Sequence, residues 1–145
     1  MDAWERQRAL ARTTVVWAAG SIGVGAILAS RRDRWWRAFG QQHLGWGVVD
    51  LGIVAVVNAY QTRRMRRLPD PYAPEPLERQ RRHLRAILVA NAAADAGYCA
   101  LGAVMVHRMS ERPRAAGAGV AIVIQGMFLL LHDSHHAWAL RPGSR

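Results

Sequence analysis

The chain has 145 residues, with 20 Arg and no Lys, 10 acidic residues and a formal net charge of +10. Its mean hydropathy of −0.06 is that of a water-soluble protein, yet the charges are segregated: the windows 14–30, 38–60, 86–107 and 115–139 contain only Asp50, Asp95 and Asp133. That segregation excludes a disordered basic tail and an ordinary basic nucleic-acid module, and the single cysteine, Cys99, excludes a disulfide scaffold.

Residues 1–12 are charged and predict a short interfacial helix running into a first span. The apolar run 14–30 is longer than a secretory signal core. Cleavage after Ala29 or Ser30 would put Ile27 or Leu28 where a small residue is required, so an uncleaved anchor is expected. At ~1.5 Å per residue the four windows reach about 26, 35, 33 and 38 Å, against a hydrocarbon core roughly 30 Å thick. A soluble amphipathic helix would place a charged face every three to four residues, whereas 14–30 has no charge and 119–131 has one polar side chain, Gln125. The expected fold is therefore all-α: a four-helix transmembrane bundle, one membrane domain over 1–145, with spans at about 13–30, 38–60, 84–107 and 115–139.

Between spans two and three the segment 61–82 predicts a long cytoplasmic loop. Arg63, Arg64, Arg66 and Arg67 open it and are expected to attract anionic lipid headgroups, at about 1 kcal/mol per charge near the surface. Pro69, Pro71, Pro74 and Pro76 follow as a stiff stretch, with Pro76 suited to a first helical turn beside Glu75 and Glu78. The N-terminal, 61–82 and C-terminal segments together carry twelve Arg, against seven in 31–37 and 108–114, which favours both termini inside. Trp35 and Trp36 then fit an outer interfacial belt, and Trp17, Tyr60 and Trp138 an inner one.

A weak repeat lays 25–40 on 102–117 at an offset of 77, matching Gly25 with Gly102, Arg31 with Arg108 and Gly40 with Gly117. It points to two duplicated helical hairpins. Small residues at four-residue spacing (Ser21/Gly25/Ala29, Ala55/Ala59, Ala93/Gly97, Gly117/Ala121) allow close helix packing, within the bundle or in a homo-oligomer.

Polar groups at membrane depth usually face a bundle interior. Counting from the outer ends puts Asp50, Asp95 and Gln125 in a middle layer, and Asn58, Asn91, His132 and Asp133 nearer the cytoplasm. Helical phase gives polar faces to spans two (His43, Asp50), three (Asn91, Asp95, Tyr98) and four (Gln125, His132, His136), which are expected to converge. Such aspartates would be protonated and hydrogen-bonded, holding helix register, or would hold a cation or a small polar ligand. His132 and His136, four apart, with Asp133 would form half a divalent-metal site. His43 with His107, and His83 with His132, would be the pairs to bracket haem. There is no phosphate-binding loop, cysteine pair or nucleophile triad, so a non-enzymatic role is expected.

At these positions the sequence resembles a family of small bacterial four-span proteins catalogued as a domain of unknown function. The resemblance rests on Trp46-Gly47-x-x-Asp50, Asn91-x-x-x-Asp95-x-x-Tyr98, and Gln125-Gly126-x-Phe128-Leu129-Leu130 followed by Asp133. It covers roughly 40–136 and leaves span one without a motif. It implies a four-helix membrane protein and no activity. The expectation from all of this is a multi-pass protein of a bacterial inner membrane that binds an ion or small ligand. The alternatives are a structural subunit packed on a partner membrane protein and a redox protein carrying haem or quinone.

Overall fold

The computed structural model describes residues 1–142; Arg145, counted above with the C-terminal arginines, lies outside them. The described residues form four helices and no strand: α1 (Ala3–Ala29), α2 (Arg34–Arg67), α3 (Pro74–Arg108) and α4 (Pro113–Ala139). All four are long and apolar enough to cross a membrane. The expected all-α four-helix architecture is what the chain adopts.

Local chemistry sets the helix ends. Asp2 and Glu5 make a reciprocal capping box at the start of α1, and the Asp33 carboxylate accepts from the backbone N–H groups of Trp35 and Trp36 to start α2. Pro74 and Pro113 occupy the first positions of α3 and α4, where a missing N–H costs nothing. Arg64, Arg66 and Arg67 sit in the last turn of α2, where positive charge complements the helix dipole. The expected 61–82 loop is largely helical. α2 continues to Arg67 and α3 begins at Pro74, so only 68–73 connects them, and both helices project beyond their apolar parts.

The chain folds as two hairpins, α1 on α2 and α3 on α4, joined through α2 against α4 and a smaller contact of α1 with α3. Each hairpin closes on a glycine. A Cβ added to Gly25 would lie 2.8 Å from the Gly40 carbonyl oxygen, and one added to Gly102 would lie 2.8 Å from that of Gly119. Gly25 and Gly102 are the pair that the 77-residue offset superposes. Of the small-residue runs, Ser21/Gly25 and Gly117/Ala121 are buried between helices, whereas Ala55/Ala59 and Ala93/Gly97 face outward.

At the end of the bundle that carries both termini, the inner end by the arginine count, a polar network sits beside a small apolar core of Leu84, Leu88, Ala137 and Leu140. Gln80, fully buried, donates to Gln7 Oε1 at 2.6 Å and accepts from Arg64 at 2.6 Å. Trp4 is 2 % exposed, donates to the Pro71 carbonyl and carries the Arg64 guanidinium over its ring. Arg81 grips Glu78 through two hydrogen bonds and donates to the Leu140 carbonyl, closing the end of α4. The Arg81 hydrogen bonds hold the Glu78 carboxyl below the usual carboxylate range.

Elsewhere the apolar surface points out. Only 11–39 % of the apolar stretch of each helix is buried, and Val16, Ile27, Val48, Ile53, Val56 and Leu131 are among the exposed side chains. Apolar area on that scale needs a non-aqueous environment or a partner.

Substituting Gly25→Leu should destabilise the bundle by about 1–3 kcal/mol, because the added side chain meets backbone. Gly23→Ala, with nothing within 4 Å of the added Cβ, should be neutral or stabilising by up to about 1 kcal/mol. Thermal unfolding in mild detergent, followed by circular dichroism, measures both.

Candidate functional site: a side cavity between α2 and α3

Three helices are tied together by one hydrogen-bonded chain. The Trp17 indole N–H donates to Gln125 Oε1 at 2.8 Å, and Gln125 Nε2 donates to Asp50 Oδ2 at 2.7 Å. Gln125 is 1 % exposed and Asp50 5 %. These bonds put Trp17 at the depth of Asp50 and Gln125, not at the inner interface where sequence reading set it. The cause is the length of α1, which extends back to Ala3 and lifts Trp17 toward the middle of the bundle. Its indole then needs an acceptor in an apolar interior.

α3 stands apart from that chain. It packs on α4, but its backbone does not pack on α2. Two polar bridges span the gap. At the outer side Trp46 Nε1 donates to the Tyr98 hydroxyl, and at the inner side Arg64 donates to Gln80. The bridges are separated by eighteen residues on each helix, about 27 Å of rise. Between them lies a cavity of about 400 Å³. Its walls are α2 and α3, and its floor comes from α1 and from Leu129 and Asp133 of α4. Ile53, Val57 and Ile87 stand exposed at its rim.

Three carboxyl groups face this cavity: Asp50, Asp95 and Asp133, each within electrostatic reach of at least one other. Asp50 has one oxygen satisfied by Gln125, and Asp133 has one facing His132 Nδ1 at 3.1 Å. Their other oxygens, and both of Asp95, have no donor among the described residues. Gln61 Oε1 is buried on the same cavity and also has no donor. Asn58, Asn91, Thr14, Tyr60 and His83 add to the polar lining.

The structure brings Trp46, Asp50, Asn91, Asp95 and Asp133 onto one cavity, with Gln125 bonded to Asp50 and Tyr98 bonded to Trp46. The bonding differs from expectation in two ways. Tyr98 pairs with Trp46 and not with an aspartate, and Asn91 is exposed on the cavity side of α3 and not bonded in a core. His43 and His132 lie away from the cavity. His43 is buried against the Phe39 ring. His132 belongs to an aromatic column, Trp17 on Phe128 at 3.9 Å, Phe128 on His132, and His132 against His136.

That column is why His132, Asp133 and His136 do not assemble as a metal centre. The two histidines continue the Phe128 face of α4, while Asp133, one residue on, turns toward the cavity. Among the described residues no group of three or more His, Cys, Asp or Glu side chains is placed to hold a metal ion. The haem pairings are likewise split. His107 is exposed whereas His43 is buried, and His83 lines the inner end of the cavity whereas His132 stacks on Phe128.

Gln61, Gln7 and Gln80 were not singled out from the sequence, and Trp17 was read only as an interfacial residue. An indole in an otherwise apolar window signals a need for an acceptor. The spacing of Gln80, Leu84 and Leu88 marks the buried stripe of α3.

Residues 13–134 match the profile of a family of unknown function, DUF6992, and the chain belongs to that family. The match takes in most of α1, which the resemblance had left out. No curated protein and no solved structure matches the chain.

Gln125→Leu would strand the Trp17 N–H and Asp50, and should cost at least about 2 kcal/mol. Asp50→Asn keeps an acceptor for Gln125 and should cost less than about 1 kcal/mol. Unfolding by graded sodium dodecyl sulfate in mixed micelles compares the two.

Proposed function

We propose that this chain is a bilayer-spanning four-helix protein that binds a small molecule, without transforming it, in the side cavity between α2 and α3. The observation that carries the reading is the cavity itself. It is bounded by polar bridges at both ends, walled by apolar side chains, and lined by acceptor atoms that none of the described residues satisfies. Such a concave, mostly apolar space with a few convergent polar groups is what ligand sites look like. The outward apolar faces of all four helices support the membrane setting.

The arginine balance supports an orientation with both termini and the 68–73 connector on the cytoplasmic side. Arg63, Arg66 and Arg67 remain exposed there and suit anionic lipid headgroups, whereas Arg64 is turned inward onto Trp4 and Gln80.

Native mass spectrometry of the chain reconstituted with lipid extract from its expression host should show a 1:1 small-molecule adduct. Ala94→Trp, which fills the cavity, should lose the adduct with no fall in melting temperature. An adduct retained by that variant, or absent from both proteins, would overturn the reading. Orientation has its own check. In a Cys99→Ser background, a membrane-impermeant thiol reagent applied to intact cells should label Ser110→Cys and spare Asp70→Cys; the reverse pattern would invert the topology.

A further inference from the structure

The lining of the cavity specifies the chemistry of its occupant. Asp50, 5 % exposed, and Asp133, 6 % exposed, each present one carboxyl oxygen without a donor. Asp95 makes no hydrogen bond among the described residues, and the buried Gln61 Oε1 adds a further acceptor. Among the described residues no arginine lines the space. The one titratable base there, His83, lies twelve residues from Asp95 along α3, about 18 Å away. A surplus of acceptors in apolar surroundings is relieved by a ligand that brings donors and positive charge.

Two observations decide between a bare metal ion and an organic cation. A desolvated metal ion needs several oxygen ligands converging on one point, and among the described residues no three acidic or imidazole groups do so. An ammonium group needs only one or two carboxyl partners. The rest of the cavity then asks for an apolar body, because Ile53, Val54, Leu88 and Leu129 form its walls. The gap between α2 and α3 opens on the flank of the bundle, beside exposed Ile53, Val57 and Ile87, so the bilayer itself is the reservoir.

Building on the ligand-binding reading above, we infer that the site takes an amphipathic ammonium cation, its head between Asp50, Asp95 and Asp133 and its apolar body in the gap between α2 and α3. Asp95 is the residue on which discrimination turns. Among the described residues it is the one carboxyl on the cavity with no hydrogen-bond partner, so both its oxygens are free to meet the ligand.

The test uses the full chain in nanodiscs of zwitterionic lipid, with titration calorimetry corrected against empty nanodiscs. The probes are decylammonium, decanol and methylammonium. Decylammonium should bind at one saturable site, at least about tenfold more tightly than either of the others. Asp95→Asn should weaken it about tenfold, Asp95→Glu should restore it, and Ala94→Trp should abolish it. If decanol binds as tightly and ignores Asp95→Asn, the cation assignment fails while the ligand cavity stands. If methylammonium matches decylammonium, the apolar half of the assignment fails. If no probe saturates the wild-type protein, the cavity reading falls with it. Folding of each variant is checked by its melting temperature in the same nanodiscs.

Discussion

Gln125 is the residue on which the arrangement of the bundle depends. Its side-chain amide accepts from Trp17 on α1 and donates to Asp50 on α2, so one buried group on α4 sets the depth and rotation of two neighbours. In an apolar interior each of these groups would pay a desolvation penalty if left alone. Sliding α1 or α2 by one turn would break its bond to Gln125, and sliding α4 would break both. The register of α1, α2 and α4 thus follows from satisfying three polar side chains at once.

α3 is outside that constraint, and this has a structural consequence. Gly102 lets it approach α4 to backbone contact, which anchors it on one side. On the other side the side-chain hydrogen bonds that reach α2 among the described residues are Trp46–Tyr98 and Arg64–Gln80. Long side chains at the two ends hold the helices apart along the middle, and the space between them is the cavity. At the outer ends the contrast is sharp: Gly117 of α4 lies against the backbone of Trp35 at the start of α2, so those two helices meet without a gap. Close packing at glycines and wide spacing at aromatic and arginine bridges divide the bundle into a tight outer part and an open flank.

Much of the candidate site was legible in the sequence for a simple reason. A polar residue in an otherwise uncharged window has few places to go, so Asp50, Asp95, Asp133 and Gln125 declared themselves by their rarity. The family motif put Trp46 with Asp50, and helical periodicity put Asn91 with Asp95 and Tyr98. Periodicity within one helix says nothing about which face of a neighbouring helix lies opposite. That is why Tyr98 was assigned to an aspartate when it meets Trp46, and why His132 and His136 read as metal ligands when they stack in a column begun by Trp17 and Phe128. The extent of the helices was also hidden. Arginine-rich and proline-rich residues between 61 and 82 look like loop by composition, yet Pro74 is well placed to begin a helix and the Arg-rich turn is well placed to end one.

What the sequence by itself determined was the number of helices, their apolar character and the identity of the few polar residues within them, because charge segregation and helix length are properties read along one dimension. The tertiary structure alone decided which polar groups satisfy each other and which are left facing a cavity. Those outcomes depend on interhelical distance, and that distance is set by where glycine permits backbone contact and where tryptophan, tyrosine and arginine hold it open.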